Sequence, residues 1–91
     1  MYGIKRSSKF KKDLKTAIKR GYNMSLLDMV VTLLVSGAEL PEKYKNHALS
    51  GNWAGYMECH ITPDWLLIYK IKEDVLILSL TRTGTHSDIF E

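Results

Sequence analysis

Leu66-Leu67-Ile68-Tyr69-Lys70-Ile71, the polar break Lys72-Glu73-Asp74, and Val75-Leu76-Ile77-Leu78-Ser79-Leu80 decide the fold. Each apolar run has the length and composition of a strand, and the break has the length of a hairpin loop, so the two runs pair antiparallel. Both are too continuously apolar for alternation to assign faces, which predicts central strands covered by helices on one side. Just upstream, Trp53 to Ile61 does alternate. Met57, Cys59 and Ile61 fall on one face and Tyr56, Glu58 and His60 on the other, as in a strand with one buried face. Thr62-Pro63-Asp64 is a turn signal leading from that strand into the first of the two runs.

Toward the N-terminus the period changes. Tyr2-Gly3-Ile4-Lys5-Arg6 reads as a short strand, after which Ser7 or Ser8 caps a helix reaching about Arg20. Phe10, Leu14, Ala17 and Ile18 form its apolar stripe, and Gly21 stops it. Ser25-Leu26-Leu27-Asp28 resembles a capping box for a second helix ending at Ser36-Gly37. That helix is apolar on nearly every side, which predicts the most buried element. Ala38 to Asn52, with Pro41 and Gly51, reads as a connecting loop carrying one helical turn around Glu42 to Tyr44. Ser87 to Glu91 reads as a short tail or edge strand. The fold class is therefore α+β: a short N-terminal strand and two helices packed on one face of an antiparallel sheet, with function on the open face.

The 91 residues, 45% hydrophobic and 25% charged, suit one globular domain over residues 1–91. A deep cleft between two lobes is out of reach at this size, which excludes dinucleotide and two-domain enzymes. No stretch of about 20 apolar residues could span a bilayer, and Met1 to Phe10 lacks the apolar core of a secretory signal, so the expected location is the cytoplasm and no membrane partner is expected. Cys59 is the only cysteine. It excludes an intramolecular disulfide and a cysteine-based zinc site, and reads as a small buried hydrophobe.

Charge is unevenly spread. The first 20 residues carry eight basic side chains against the single acid Asp13, whereas the remainder is net acidic. Lys9, Lys11, Lys12, Lys15 and Lys19 lie along the first helix, either as a solvated face or as a docking surface for a polyanion such as a phosphate backbone.

All three histidines, His47, His60 and His86, fall in or beside the β half, where antiparallel neighbours can bring them together. With Asp64 they could do general acid-base work on a phosphodiester, one group taking the proton of a ribose 2′-hydroxyl and another protonating the 5′-oxygen. Histidine suits both roles, its ordinary pKa being about 6.5. Arg82 is the natural phosphate clamp, because a planar guanidinium can hold two oxygens at once. A three-histidine metal site fits by ligand type, but the spacings lack the local pairing of a zinc motif.

Lys45-Asn46-His47-Ala48-Leu49-Ser50-Gly51-Asn52-Trp53-Ala54-Gly55-Tyr56, then Cys59-His60-Ile61-Thr62-Pro63-Asp64-Trp65-Leu66-Leu67-Ile68-Tyr69-Lys70 and Arg82-Thr83-Gly84-Thr85-His86 occur in that order. Together they resemble the YafQ branch of the RelE superfamily of toxins from bacterial type II toxin-antitoxin modules, over nearly the whole chain. The resemblance implies a RelE-like fold and a ribosome-dependent endoribonuclease that cleaves messenger RNA in the decoding site without a metal or other cofactor. It implies catalytic roles for His47, His60, Asp64 and His86, with His86 as general acid, Asp64 or His60 as general base, and His47 orienting or stabilising. Trp65 and Phe90 would shape the site around His86, Arg82 would steady the phosphate, and the lysine face would grip ribosomal RNA. It also implies an antitoxin partner, acidic where it meets the toxin, in a hetero-oligomeric complex. The related ParE toxins share the fold type and trap DNA gyrase instead of cutting RNA, so the fold alone does not choose. The histidines favour cleavage over such a binder and over a plain RNA-binding domain.

Overall fold

The computed structural model describes residues 1–91. Its elements run β1 (Gly3–Arg6), α1 (Ser8–Lys19), α2 (Met24–Ser36), β2 (His47–Ala48), β3 (Met57–Thr62), β4 (Trp65–Lys72), β5 (Ile77–Gly84) and α3 (His86–Phe90), with 3-10 turns at Glu42–Tyr44 and Gly51–Trp53. The five strands form one sheet in the order β1-β5-β4-β3-β2. The hairpin of β4 and β5 is antiparallel as the sequence predicts. β1 pairs with β5 in parallel, which makes the sheet mixed.

β4 shows why its sequence does not alternate. Trp65, Leu67 and Tyr69 pack into the main core with Phe10, Ala17, Leu27, Val30 and Leu34 of the helices. Leu66 and Ile68 point the other way, into a second cluster with Ile89, flanked by Leu49, Trp53, Tyr56 and Phe90. The face expected to be open is thus partly roofed by the 49–56 segment and α3. A strand buried on both faces reads as a continuous apolar run. β5 begins two residues later than expected, because Val75 and Leu76 belong to the turn, where Leu76 takes a left-handed φ of 52°.

α3 is a helix where a tail or edge strand is expected, and the two expected helices depart from the sequence reading in three places. Ser7 caps α1 as expected, its Oγ accepting from the Phe10 N–H at 2.9 Å, but Ile18 is 58% exposed, one step outside the buried stripe. α2 is capped by Asn23, whose Oδ1 accepts from the Ser25 N–H at 3.0 Å, so Ser25 lies inside the helix instead of capping it. α2 is not the most buried element: Leu27, Val30 and Leu34 face the sheet while Met29 is 54% exposed. One helix lying on one sheet can bury only one face, whatever the composition of the other. Gly37 ends α2 in the left-handed conformation (φ 81°) that a residue without Cβ adopts freely.

Cys59 is fully buried, and burial, helped by the neighbouring Glu58 charge, pushes its thiol up to about 12. At pH 8 only about one molecule in ten thousand then carries the reactive thiolate, against about a quarter for a free thiol. Iodoacetamide is expected to modify the native protein at least about 100-fold more slowly than the urea-unfolded chain. Intact mass measured over time checks this, and equal rates would mean that Cys59 is not buried.

Candidate active site

β2 is where sequence reasoning saw only loop. Two residues of backbone pairing set His47 opposite Glu58 and Ala48 opposite Met57. Glu58 is in turn opposite Ile68 on β4, and Ile68 opposite Arg82 on β5, while His60 is opposite Leu66. Cross-strand partners share a face, so His47, Glu58 and His60 meet on the side of the sheet away from α1 and α2.

Glu58 is the centre of this group. The residue is only 7% exposed, and its Oε1 lies 3.3 Å from His47 Nε2 and 3.5 Å from His60 Nε2. The other ring nitrogens face carbonyls, His47 Nδ1 against Lys45 O at 2.8 Å and His60 Nδ1 against Pro63 O at 3.3 Å. An imidazole that donates through Nδ1 to a carbonyl can bond a carboxylate through Nε2 only if that nitrogen also carries a proton. Each ring thus has both of its nitrogens against oxygen acceptors. The sequence reading did not single out Glu58, although its alternation already placed the residue on the face of His60.

Beside this group is a cleft of about 460 Å³ lined by Glu58, His60, Pro63, Asp64, Thr85, His86 and others. Of the residues expected to be catalytic, His60, Asp64 and His86 share it. His47 stands behind Glu58, its ring centroid 6.3 Å from that of His60. Asp64 sits in the exposed turn between β3 and β4, and its carboxylate has no hydrogen-bond or ion-pair partner within the chain. His86 opens α3, exposed, with its ring against Phe90 at 4.8 Å. Phe90 is braced edge-on by Trp53 at 5.8 Å. Trp53 is thus part of the support behind Phe90 and, through it, His86.

His47 and Phe90 border the cleft without lining it, and the other two expected residues, Trp65 and Arg82, stand away from it. Trp65 is 3% exposed on the helix-covered face of the sheet, packed on Tyr22 at 4.9 Å, with its Nε1–H donating to Thr83 Oγ1 at 2.8 Å. The side-chain period of two puts it on the opposite side from its neighbour Leu66, so it cannot line the site around His86 directly. Arg82 is bound elsewhere: Nε and Nη2 donate to Asp13 at 2.7 and 3.2 Å, and Nη2 also donates to the Asp88 carbonyl at 3.3 Å. β1 pairs with β5 only as far as Leu80, so the last residues of β5 form an edge. Asp13 covers that edge, accepting also the Thr83 N–H at 3.1 Å. Arg82 in this arrangement joins α1 to β5 and α3. The lysines of α1, Lys9, Lys11, Lys12, Lys15 and Lys19, are all exposed, as expected.

The family model of a bacterial toxin of type II toxin-antitoxin systems, YafQ, matches residues 2–91. The mRNA interferase toxin YafQ of Escherichia coli K12 is 43% identical over 88 residues, covering 96% of this chain and 94% of that protein. YafQ in a crystal structure of the E. coli DinJ-YafQ complex matches with a TM-score of 0.91 at 41% identity, both chains being covered in full. A crystal structure of a metal-bound toxin from Helicobacter pylori matches with a TM-score of 0.93 at 44% identity, over 99% of this chain and 100% of that one. In this chain no three His, Cys, Asp or Glu side chains converge at metal-ligating spacing.

Proposed function

Because this chain belongs to the YafQ family of toxins from bacterial type II toxin-antitoxin systems, we propose that it is an mRNA interferase that cuts messages in the decoding site of translating ribosomes. The observation that carries the reading is the cleft itself: an unpartnered carboxylate, Asp64, and an exposed imidazole, His86, share a space of about 460 Å³ with the buried Glu58 and with His60.

The chemistry assigns itself by which groups are free. A general base needs an unoccupied lone pair, and Asp64 has one, whereas both nitrogens of His60 face acceptors. Asp64 takes the proton from the ribose 2′-hydroxyl as that oxygen attacks phosphorus. The bond from phosphorus to the 5′-oxygen breaks, and His86 donates the proton that this oxygen takes up. The products are a 2′,3′-cyclic phosphate and a free 5′-hydroxyl. In their protonated form, the rings of His60 and His47 beside Glu58 stabilise the extra negative charge of the phosphorane. Phe90 limits where the His86 ring can go. The exposed lysines of α1 supply charge for ribosomal RNA, which requires no fixed geometry. Arg82 reaches phosphate only through Nη1, which has no partner within the chain. Messenger RNA and ribosomes place the action in the cytoplasm, and a cognate antitoxin, acidic where it binds, would hold the toxin in a hetero-oligomer until released.

Primer extension on one message in a translating extract tests the proposal. Breaks in register with the reading frame are expected when the protein is added, with none on the same RNA free of ribosomes. Arrested growth without breaks would replace the proposal by a non-catalytic toxin of the ParE type.

A further inference from the structure

We propose that Arg20 and Asp88 are positioning residues for His86: their ion pair clasps α3 to α1 and so fixes where the His86 ring stands in the cleft. The inference rests on the endoribonuclease reading above and adds to it the device that aims the acid. α3 has five residues, far fewer than a helix needs to persist unaided. The His86 side chain has no hydrogen bond of its own to hold it, so its position is that of α3.

Asp88 organises that short helix from within. Its Oδ2 accepts from the Thr85 N–H at 2.8 Å while Thr85 Oγ1 accepts from the Asp88 N–H at 3.1 Å, a closed capping box. The same carboxylate receives both terminal nitrogens of Arg20, Nη1 at 2.6 Å and Nη2 at 3.1 Å, in the fork geometry that gives a guanidinium its directional strength. Hydrogen bonds from Arg20 first, and from Thr85, hold the Asp88 carboxyl well below the usual carboxylate range, so the clasp keeps its charge at any physiological pH.

A second leg runs parallel to the first. Arg82, gripped by Asp13 of α1, donates to the Asp88 carbonyl. Asp13 and Arg20 are two helical turns apart, so one face of α1 provides both anchors. Gly84 lets this happen. A Cβ there would stand 2.9 Å from Asp88 Oδ2 and 3.1 Å from its Cβ, at a φ of 152° that side chains avoid. The carboxylate thus lies directly on the backbone at the end of β5. The helix that presents the exposed lysines is therefore also the one that holds the acid.

Asp88→Asn keeps the shape and one oxygen but loses the charge that holds Arg20. Arg20→Gln removes the other half, and Arg20→Lys keeps the charge without the fork. With wild-type cleavage in the same extract as reference, Asp88→Asn and Arg20→Gln are expected to lower kcat about 10- to 100-fold with KM within about twofold, and Arg20→Lys to restore part of it. In a His86→Gln background, Asp88→Asn is expected to cost less than about threefold more, because a residue acting through His86 has nothing left to position. The His86 ring proton shifts, read by NMR without RNA, are expected to lose the ring-current displacement caused by Phe90 in Asp88→Asn. That readout separates the two ideas: failure of wild type to cut overturns the nuclease reading, whereas the NMR shift still judges the clasp. Unchanged ring shifts in a folded Asp88→Asn, wild-type kcat in that variant, or full multiplication of its loss onto His86→Gln would each overturn the proposal.

Discussion

His86→Gln is expected to lower cleavage of ribosome-bound messenger RNA by about 100- to 10,000-fold, the usual worth of a positioned general acid, while leaving the domain folded. The two halves of this result have separate causes. His86 is exposed at the first position of α3, and its contact is a tilted ring pair with Phe90. Removing such a side chain changes stability by roughly 0.5 kcal/mol or less. Glutamine preserves length and polarity but cannot give up a proton near neutral pH, and the alkoxide leaving from the 5′ side needs one. Single-turnover cleavage on stalled ribosomes, paired with a thermal melt, measures both. A variant within about threefold of wild type would remove His86 from the chemistry. The acid would then have to be sought between His60 and His47, whose rings face Glu58 at 3.5 and 3.3 Å.

How far the sequence could be read follows from how local each feature is. The β4–β5 hairpin, the two longer helices and the inward face of β3 depend on periodicity and turn residues within a few positions, and the structure has each of them, with β3 starting at Met57 and β5 at Ile77, later than the apolar patterns begin. β2 is two residues long and exists because the chain from Lys45 to Tyr56 returns along β3, with the Leu49 N–H donating to the Tyr56 carbonyl at 2.9 Å. No two-residue window announces such a pairing. The same holds for α3: its five residues read as a tail because only the capping box and the clasp to α1 make them helical. His60, Asp64 and His86 can be singled out from the sequence because imidazoles and a turn carboxylate are groups able to move protons. Glu58 was not, because a glutamate on an alternating strand is ordinarily solvated. Only the approach of His47 from β2 and His60 from β3 makes it the buried centre of the group. Arg82 gives no sign of its internal partners in the sequence for a similar reason. Its partner Asp13 lies 69 positions away in sequence, beside a sheet edge that exists only because β1 stops pairing at Leu80.

Trp65→Ala is expected to lower stability by about 3–5 kcal/mol, a large part of the roughly 5–15 kcal/mol that holds a domain of this size together. The melting temperature should fall by on the order of 20 °C. Trp65 is the bulkiest residue of β4 on its buried face, and its removal opens a cavity beside Tyr22, Leu67 and Phe10 while taking away the N–H that Thr83 Oγ1 accepts. Thr83 is itself 1% exposed, and its hydroxyl still donates to the Leu66 carbonyl at 2.7 Å, so one of its two bonds survives. Family resemblance assigns this tryptophan to the support of the acid, and the structure separates two ways in which that could be true. If Trp65 acted on substrate, Trp65→Phe would reduce kcat with little effect on the melt. Placed on the helix side of the sheet, it instead secures the strands that carry the site. Trp65→Phe, which keeps most of the volume and loses the hydrogen bond, is therefore expected to cost about 1–2 kcal/mol and to leave kcat per folded molecule unchanged at 25 °C. A kcat loss of tenfold or more in a Trp65→Phe protein with an unchanged melt would place the indole in the chemistry after all.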